Sequence, residues 1–321
     1  MPQTFTDESA IRCLNPLDVI AAIEAAFRDR YPAAVIPLRT QIATNDGVVL
    51  LMPCYDPTRN ALGMKLVTVL DHPSRPEDRI QATYLLLDPV TGKPRLEIPA
   101  GYLTDLRTAA TSAVATKYLA RDDAKTLGIF GTGREARAHL KVVRLVRNFT
   151  RILVTGSKTE KSRRFAEEMS NELNIVVEAA ETATCASNSD VICTCTTSNT
   201  PLFEGLLLKP GTHLNVVGAF QPHTREVDDV TVQRSLVVAD THDAVLAEAG
   251  DILIPLSQGL ITRDHVRADL HELLSGKKTV RTSPQDITLF KSVGSALEDL
   301  ATAELLVDNS PQSHRDTERY S

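Results

Sequence analysis

The chain of 321 residues has no tryptophan, and aromatics make up only 4% of it. Its core must therefore be aliphatic, which suits a parallel sheet covered by helices. Cysteine is scarce: Cys13, Cys54, Cys185, Cys193 and Cys195 are odd in number, and no two have C-x-x-C spacing. That excludes a disulfide framework and a zinc site, so no metal is expected. The stretch CTC lies among apolar residues and reads as buried thiols. Basic excess is missing too. The net charge is −6, which argues against a nucleic-acid partner. No apolar run reaches the about 20 residues that a membrane span requires. The opening MPQTFTDESA lacks the basic and apolar regions of a signal peptide. The expectation is a cytoplasmic protein with neither nucleic-acid nor membrane partners.

Helix and strand signals are present. NPLDVIAAIEAAFRDRY predicts a helix capped by Asn15, with Pro16 at its first position and Val19, Ile20, Ile23 and Phe27 as an apolar stripe. The runs AVIPLRTQIAT, GVVLLMPCY, ALGMKLVTVL, IQATYLLLD and RLEIPA predict an antiparallel or mixed sheet over 31–100. LTDLRTAATSAVATKYLAR predicts a long helix capped by Thr104 or Asp105. From Thr126 strands and helices alternate through TLGIFG, RILVTG, NIVVEA, DVICTC, HLNVVG and SLVVAD, the pattern of a doubly wound parallel sheet. After DITLFKSVG, the helix SALEDLATAELLV is expected to return to the first domain, and the polar tail DNSPQSHRDTERYS to fray.

Within this alternation, LGIFGTGREARAHL carries Gly131, Gly133 and Ala136 as G-x-G-x-x-A after a strand and at the opening of a helix. In that context the pattern points to a dinucleotide. Gly131 permits the tight turn, Gly133 lets pyrophosphate approach the backbone, and Ala136 allows close helix packing. Thr132, Arg134 and Glu135 fill the rest of the loop and helix start, whose free N–H groups face the phosphates. The next strand should end in a carboxylate if NAD is preferred, because the ribose hydroxyls need an acceptor. Residues 155–158 are Thr, Gly, Ser and Lys instead. Ser157 and Lys158, with Arg163 or Arg164 nearby, are placed to bind a 2′-phosphate, so NADP(H) is expected to be preferred and NAD(H) to remain usable.

RTAATSAVATKYLA followed by GIFGTGREA resembles the ornithine cyclodeaminase/μ-crystallin family. PLRTQI, GMKLV, TCTTSNTPLF, GAFQPHTREVDD, EAGDILIP and LFKSVGSALEDL extend the resemblance over almost the whole chain. It implies a homodimer. It also implies an α/β fold in which a Rossmann-type doubly wound sheet (121–292) is inserted into an α+β substrate-binding and dimerisation domain (1–120 plus 293–321). The implied chemistry is hydride transfer between a nicotinamide and the α-carbon of an imino or amino acid.

The resemblance carries roles to particular residues. Arg39 and Arg107 match the two arginines that hold the substrate carboxylate, where a bidentate fork gives both energy and orientation. Without it, each would read as a surface residue. Lys65 matches the active-site lysine. It also interrupts an apolar strand, where a charge needs a partner or a task. It could hold the substrate carboxylate or carbonyl oxygen, or bond the imine nitrogen. Thr108 and Ser112 are placed near the cofactor. Val217 and Gly218 are placed beside the nicotinamide, and Thr194, Cys195 and Thr196 at the neighbouring strand end, although strand-end capping is an equal reading for the threonines. Ser292, Val293 and Gly294, in LFKSVG, complete the expected cofactor set. His72, His213 and His223 are available proton donors, but spacing selects none, and structural roles are expected.

One position departs from the pattern. In the cyclodeaminases and related alanine dehydrogenases of the family an aspartate follows the glycine and alanine equivalent to Gly218–Ala219, whereas here it is Phe220. Pro222 and Glu226 keep the alignment in register, and Asp228 and Asp229 lie too far along to replace the acid. Cyclising deamination needs a base near the α-amine, which a phenyl group cannot provide. A preformed cyclic ketimine is already protonated in part near neutral pH, so its reduction needs a hydride and carboxylate anchors. An aromatic here resembles the pyrroline- and piperideine-carboxylate reductase branch, its ring available to pack on substrate or nicotinamide. The first expectation is therefore NAD(P)H-dependent reduction of a cyclic ketimine acid. The alternatives are an alanine dehydrogenase or other imino-acid reductase, and a protein that binds NADP and a small ligand without turnover.

Overall fold

The computed structural model describes residues 3–4, 12–72, 74 and 80–308. The polar tail from Asn309 onward lies outside them. The chain divides into two compact units, 1–107 with 295–321, and 108–294. The boundary falls inside the helix Gly101–Leu119. It differs from 120/121 because the later turns of this helix are bonded within the second unit. Ser112 Oγ meets His139 Nε2 at 3.0 Å, and Asn215 Nδ2 donates to Thr116 Oγ1 at 2.9 Å. Neither Thr104 nor Asp105 is the cap: the helix has already begun at Gly101, and Thr104 N donates to Ala100 O at 2.9 Å.

The first unit holds a six-stranded sheet of β1 (Gln3–Thr4), β2 (Thr40–Thr44), β3 (Gly47–Asp56), β4 (Ala61–Leu70), β5 (Ile80–Leu87) and β6 (Pro94–Pro99). Its order is β1-β6-β5-β4-β3-β2, antiparallel except for the short parallel pair β1 and β6. Alternation sends Leu50, Met52 and Cys54, then Ala61, Lys65 and Val67, then Tyr84 and Leu86, to one buried face. Helix Ala296–Asp308 packs on β3, β4 and β5 and on helix Pro16–Ala25. The latter begins as expected, with Asn15 Oδ1 accepting from Leu17 N at 3.0 Å and Pro16 at the first position. The opposite sheet face carries Val49, Leu51, Met64 and Leu66 with Ile42 of β2. Of these, Ile42 and Leu66 are exposed.

The second unit holds eight parallel strands: β7 (Thr126–Phe130), β8 (Arg151–Thr155), β9 (Val177–Ala179), β10 (Val191–Thr194), β11 (His213–Val216), β12 (Ser235–Ala239), β13 (Val266–Asp269) and β14 (Ile287–Lys291). Their order is β13-β12-β14-β11-β10-β7-β8-β9. From β7 the chain proceeds to β8 and β9 on one side and to β10 and β11 on the other. The switch point therefore lies between β7 and β10, where doubly wound sheets bind ligands outside the carboxyl ends of the strands. Cys193 and Cys195 are buried in this unit as expected, and Cys185 is buried as well. His213 is buried and structural. Its Nδ1 meets Thr288 Oγ1 at 2.9 Å, its Nε2 meets Asn215 Oδ1 at 3.2 Å, and burial pushes its pKa down to about 3. No helix among the described residues is long and apolar enough to cross a membrane.

Candidate active site

In the first unit, two expected residues come together. Lys65 is 1% exposed and Arg107 5%. Lys65 Nζ donates to Asp299 Oδ1 at 2.8 Å and lies 2.8 Å from Oδ2. Arg107 Nε donates to Asp299 Oδ1 at 3.0 Å, and its NH1 nitrogen to Glu298 Oε2 at 2.7 Å. Two cations thus face two fully buried carboxylates delivered by consecutive residues at the start of helix Ala296–Asp308, where negative charge also suits the helix dipole. Burial, and then the neighbouring Arg107 charge, pull the Lys65 pKa down to about 8. Arg39 is half-buried and immediately precedes β2. The pair Thr40–Leu51 is one residue from Met52–Lys65, so the Arg39 backbone approaches the same row of the sheet.

Neither Glu298 nor Asp299 was singled out by sequence reasoning. Acids in the first turn of a helix usually face water, and Asp299 lies 234 residues from Lys65. The available signal was the adjacency of two acids in the first turn of a largely aliphatic helix.

In the second unit, the glycine loop runs from the end of β7 to a helix start. Gly131 adopts φ +123°, and a β-carbon there would lie 2.5 Å from Cys195 O. Cys195 therefore contributes backbone, and its thiol is buried. Gly133 caps helix Arg134–Val143 without a side chain, and a β-carbon on it would meet nothing within 4 Å. That opening, at the start of a helix, fits the pyrophosphate of a dinucleotide. Ala136 is buried against the sheet, Thr132 and Glu135 are half-buried, and Arg134 is exposed.

Beside the loop is a cavity of about 260 Å³ lined by Thr132, Gly133, Arg137, Lys161, Arg164, Phe165 and Glu168. Lys161, Arg164, Phe165 and Glu168 follow the i, i+3, i+4, i+7 rule on helix Thr159–Leu173. Ser157, Lys158 and Arg163 are exposed around the start of that helix. The cavity lining thus takes its cations from Arg137, Lys161 and Arg164.

The neighbouring strand ends are organised by acids. Glu226 is fully buried and accepts four bonds, each 2.7 Å: Thr194 Oγ1 and Gly218 N to Oε2, and Thr196 N and Oγ1 to Oε1. The hydroxyls of Thr194 and Thr196 therefore fasten β10 to the segment after β11. Burial, followed by Asp251, raises the Glu226 pKa. Asp240 Oδ2 accepts from Ser292 Oγ at 2.9 Å and from Val293 N and Gly294 N at 2.8 Å, fixing the loop after β14. Thr108 and Val217 are half-buried, whereas Ser112 is buried against His139. The ring of Phe220 is half-buried and packs against the apolar core of this unit. Glu226 entered sequence reasoning only as a marker of register, and Asp251 and Asp240 escaped it. Glu226 and Asp251 stand inside GAFQPHTREVDD and EAGDILIP, where only the resemblance marked them.

The model of the ornithine cyclodeaminase/mu-crystallin family matches residues 6–314. The chain is 34% identical over 303 residues to a Δ1-pyrroline-2-carboxylate reductase of Bacillus cereus, covering 92% of this chain and 93% of the relative. Among solved structures, the Thermococcus litoralis Δ1-pyrroline-2-carboxylate reductase in complex with NADH and L-proline superimposes with a TM-score of 0.91. It is 37% identical and covers 97% of this chain and 98% of that one. An archaeal alanine dehydrogenase dimer with bound NAD has a TM-score of 0.90 at 27% identity, covering 98% of this chain and 97% of that one. With matching motifs, two-unit architecture and near-complete coverage, the chain belongs to the ornithine cyclodeaminase/mu-crystallin family.

Proposed function

We propose that this chain reduces a cyclic ketimine acid at the expense of a reduced nicotinamide. Δ1-pyrroline-2-carboxylate to proline is the first substrate pair, and Δ1-piperideine-2-carboxylate to pipecolate the second. The observation that carries this reading is the likeness, along nearly the whole chain, to a reductase whose structure holds NADH and L-proline. Phe220 supports it, since it leaves no carboxylate for a deamination step. In the balanced reaction a hydride reaches the ring carbon that bears the carboxylate and a proton ends on the ring nitrogen. The C=N bond becomes C–N, and the nicotinamide is oxidised. A dinucleotide bound at the Gly131–Ala136 loop supplies that hydride. Arg107, Lys65 and Arg39 bind and orient the substrate carboxylate. Glu298 and Asp299 hold Arg107 and Lys65 in place before substrate arrives.

NADP(H) is assigned as the preferred cofactor and NAD(H) as usable. Support comes from the absence of an acid at 155–158 and from Arg137, Lys161 and Arg164 around the loop cavity. A cytoplasmic homodimer is assigned as well. The apolar sheet face with Ile42 and Leu66 exposed gives the first unit a surface to cover with a second copy.

A substrate panel tests the reading. Purified protein with NADPH is expected to consume the nucleotide when given Δ1-pyrroline-2-carboxylate, and more slowly with NADH. No consumption with either cyclic ketimine acid, alongside turnover of pyruvate and ammonia, would replace it by the alanine dehydrogenase reading that the second structural likeness favours.

A further inference from the structure

The segment that follows β11 is gripped by three buried charged side chains. Lys291 and Glu226 are 0% exposed and Asp251 1%. Lys291 Nζ donates to Ala219 O at 2.6 Å and lies 2.8 Å from Asp251 Oδ2. Asp251 Oδ1 accepts from Glu226 N at 2.7 Å and Val227 N at 3.1 Å. Glu226 in turn holds Gly218 N and Thr196 N. Apart from the lysine–aspartate pair and two threonine hydroxyls, every partner is main chain of residues 196–227. Buried ions cost more to bring out of water than apolar side chains of the same size. What the ions provide in exchange is a fixed position for the peptide groups of Gly218 and Ala219.

Strand register says what that position serves. Thr194 of β10 and Lys291 of β14 flank Val216, the last residue of β11, in one row. β10 alone separates β11 from β7, whose end carries the phosphate loop. The Gly218 segment therefore stands two strand spacings, about 10 Å, from that loop along the ligand-binding edge. A dinucleotide with its pyrophosphate on the loop would have its other half directed along this edge toward the segment. Gly218 has no room to shift toward β10, because a β-carbon there would lie 2.2 Å from Thr196 O and 2.5 Å from Glu226 Oε1.

We infer that Lys291, Asp251 and Glu226 are positioning residues which clamp the Gly218–Phe220 segment and so set how the nicotinamide half of the dinucleotide is held. The inference rests on the dinucleotide reading above and adds residues to it. The full-length Lys291→Met protein tests it, using NADH and NADPH as probes. The expected result is dissociation constants within about threefold of the parent, a shortened fluorescence lifetime of the bound reduced nicotinamide, and kcat lower by about tenfold or more. The deuterium isotope effect with nucleotide labelled at the transferred position should rise as the chemical step becomes limiting. Neither the lifetime nor the isotope effect depends on how much protein is folded, so a merely structural role would leave both unchanged, and that result overturns the inference. Should Lys291→Met fail to fold, Asp251→Asn, which keeps the shape and weakens the hold on Lys291, is read in the same way. A parent protein that binds NADH or NADPH but turns over no cyclic ketimine acid defeats the substrate reading alone, and the lifetime still decides the clamp. A parent that binds neither nucleotide overturns both.

Discussion

In the first unit, Lys65 and Arg107 are buried against Asp299 and Glu298, two positive charges to two negative. In the second, Lys291 is buried against Asp251 beside Glu226, one positive to two negative. The excess anion of the second cluster is satisfied by backbone N–H and hydroxyl donors, four of them on Glu226. The same residue types therefore do different work. The balanced pairs bury two cations side by side, which under the proposed function await the substrate carboxylate. The unbalanced cluster has converted its charge into fixed main chain. A cationic side chain can recruit a carboxylate, whereas a carboxylate wrapped in amides can only hold a loop still.

The largest effect is expected where the first cluster is broken. Arg107→Met leaves Glu298 without its guanidinium partner and Asp299 with Lys65 alone. Removing one partner of a buried ion set costs about 3–5 kcal/mol, to be read from denaturant unfolding. Losing a substrate anchor as well should lower kcat/KM by about a thousandfold, which corresponds to about 4 kcal/mol. Normal stability with kcat/KM near that of the parent would break the comparison, because the cluster would then be neither buried as described nor used.

Lys65 gives the next effect, through pH. Its pKa is held near 8 against an ordinary 10.5, with burial as the main cause. Below about pH 8 the lysine is charged both folded and unfolded. Between about 8 and 10.5 the unfolded chain keeps a proton that the folded one has released, so this group makes stability rise with pH across that window. Activity should move the other way, since neutral Lys65 no longer attracts a carboxylate. kcat/KM is expected to fall above about pH 8, chiefly through KM, because it reports groups of the free enzyme. Lys65→Arg should be slower by about tenfold from overpacking yet lose that alkaline limb, because arginine stays charged. A limb unchanged in Lys65→Arg would assign it to another group.

How far the sequence reaches differs between the same two regions. The second unit is legible because its signals are local. A strand, a glycine turn and a helix fall within some twenty residues, and the alternation repeats. Lys65 was legible as a lone charge in an apolar strand. Its counter-ions were not, since Asp299 and Glu298 are brought to it only by the return of the last helix. Helical phase separates the candidate cations: Lys158 and Arg163 are exposed, whereas Arg164, also a candidate, lines the loop cavity together with Lys161, which was not singled out. The chain reversal that inserts β14 between β11 and β12 left no local trace, so Lys291 could not be paired with Ala219 before the sheet order was known.

Phe220 carries the smallest expected effect and sharpens the comparison most. As an absence it is informative, because no carboxylate stands where a cyclodeaminase has one. As a presence, its ring is half-buried against the apolar core of the second unit, which needs bulk there more than aromaticity. The clamp of Lys291, Asp251 and Glu226 holds the main chain at Gly218 and Ala219 before it and at Glu226 and Val227 after it. Phe220→Leu keeps an apolar side chain of nearly the same volume and should cost under about 1.5 kcal/mol, with kcat/KM for the ketimine acid within about threefold of the parent. A tenfold rise in KM for the imino acid at unchanged stability would instead place the ring on the substrate. The second region would then contribute a side chain, as is proposed for the first, rather than only a held backbone.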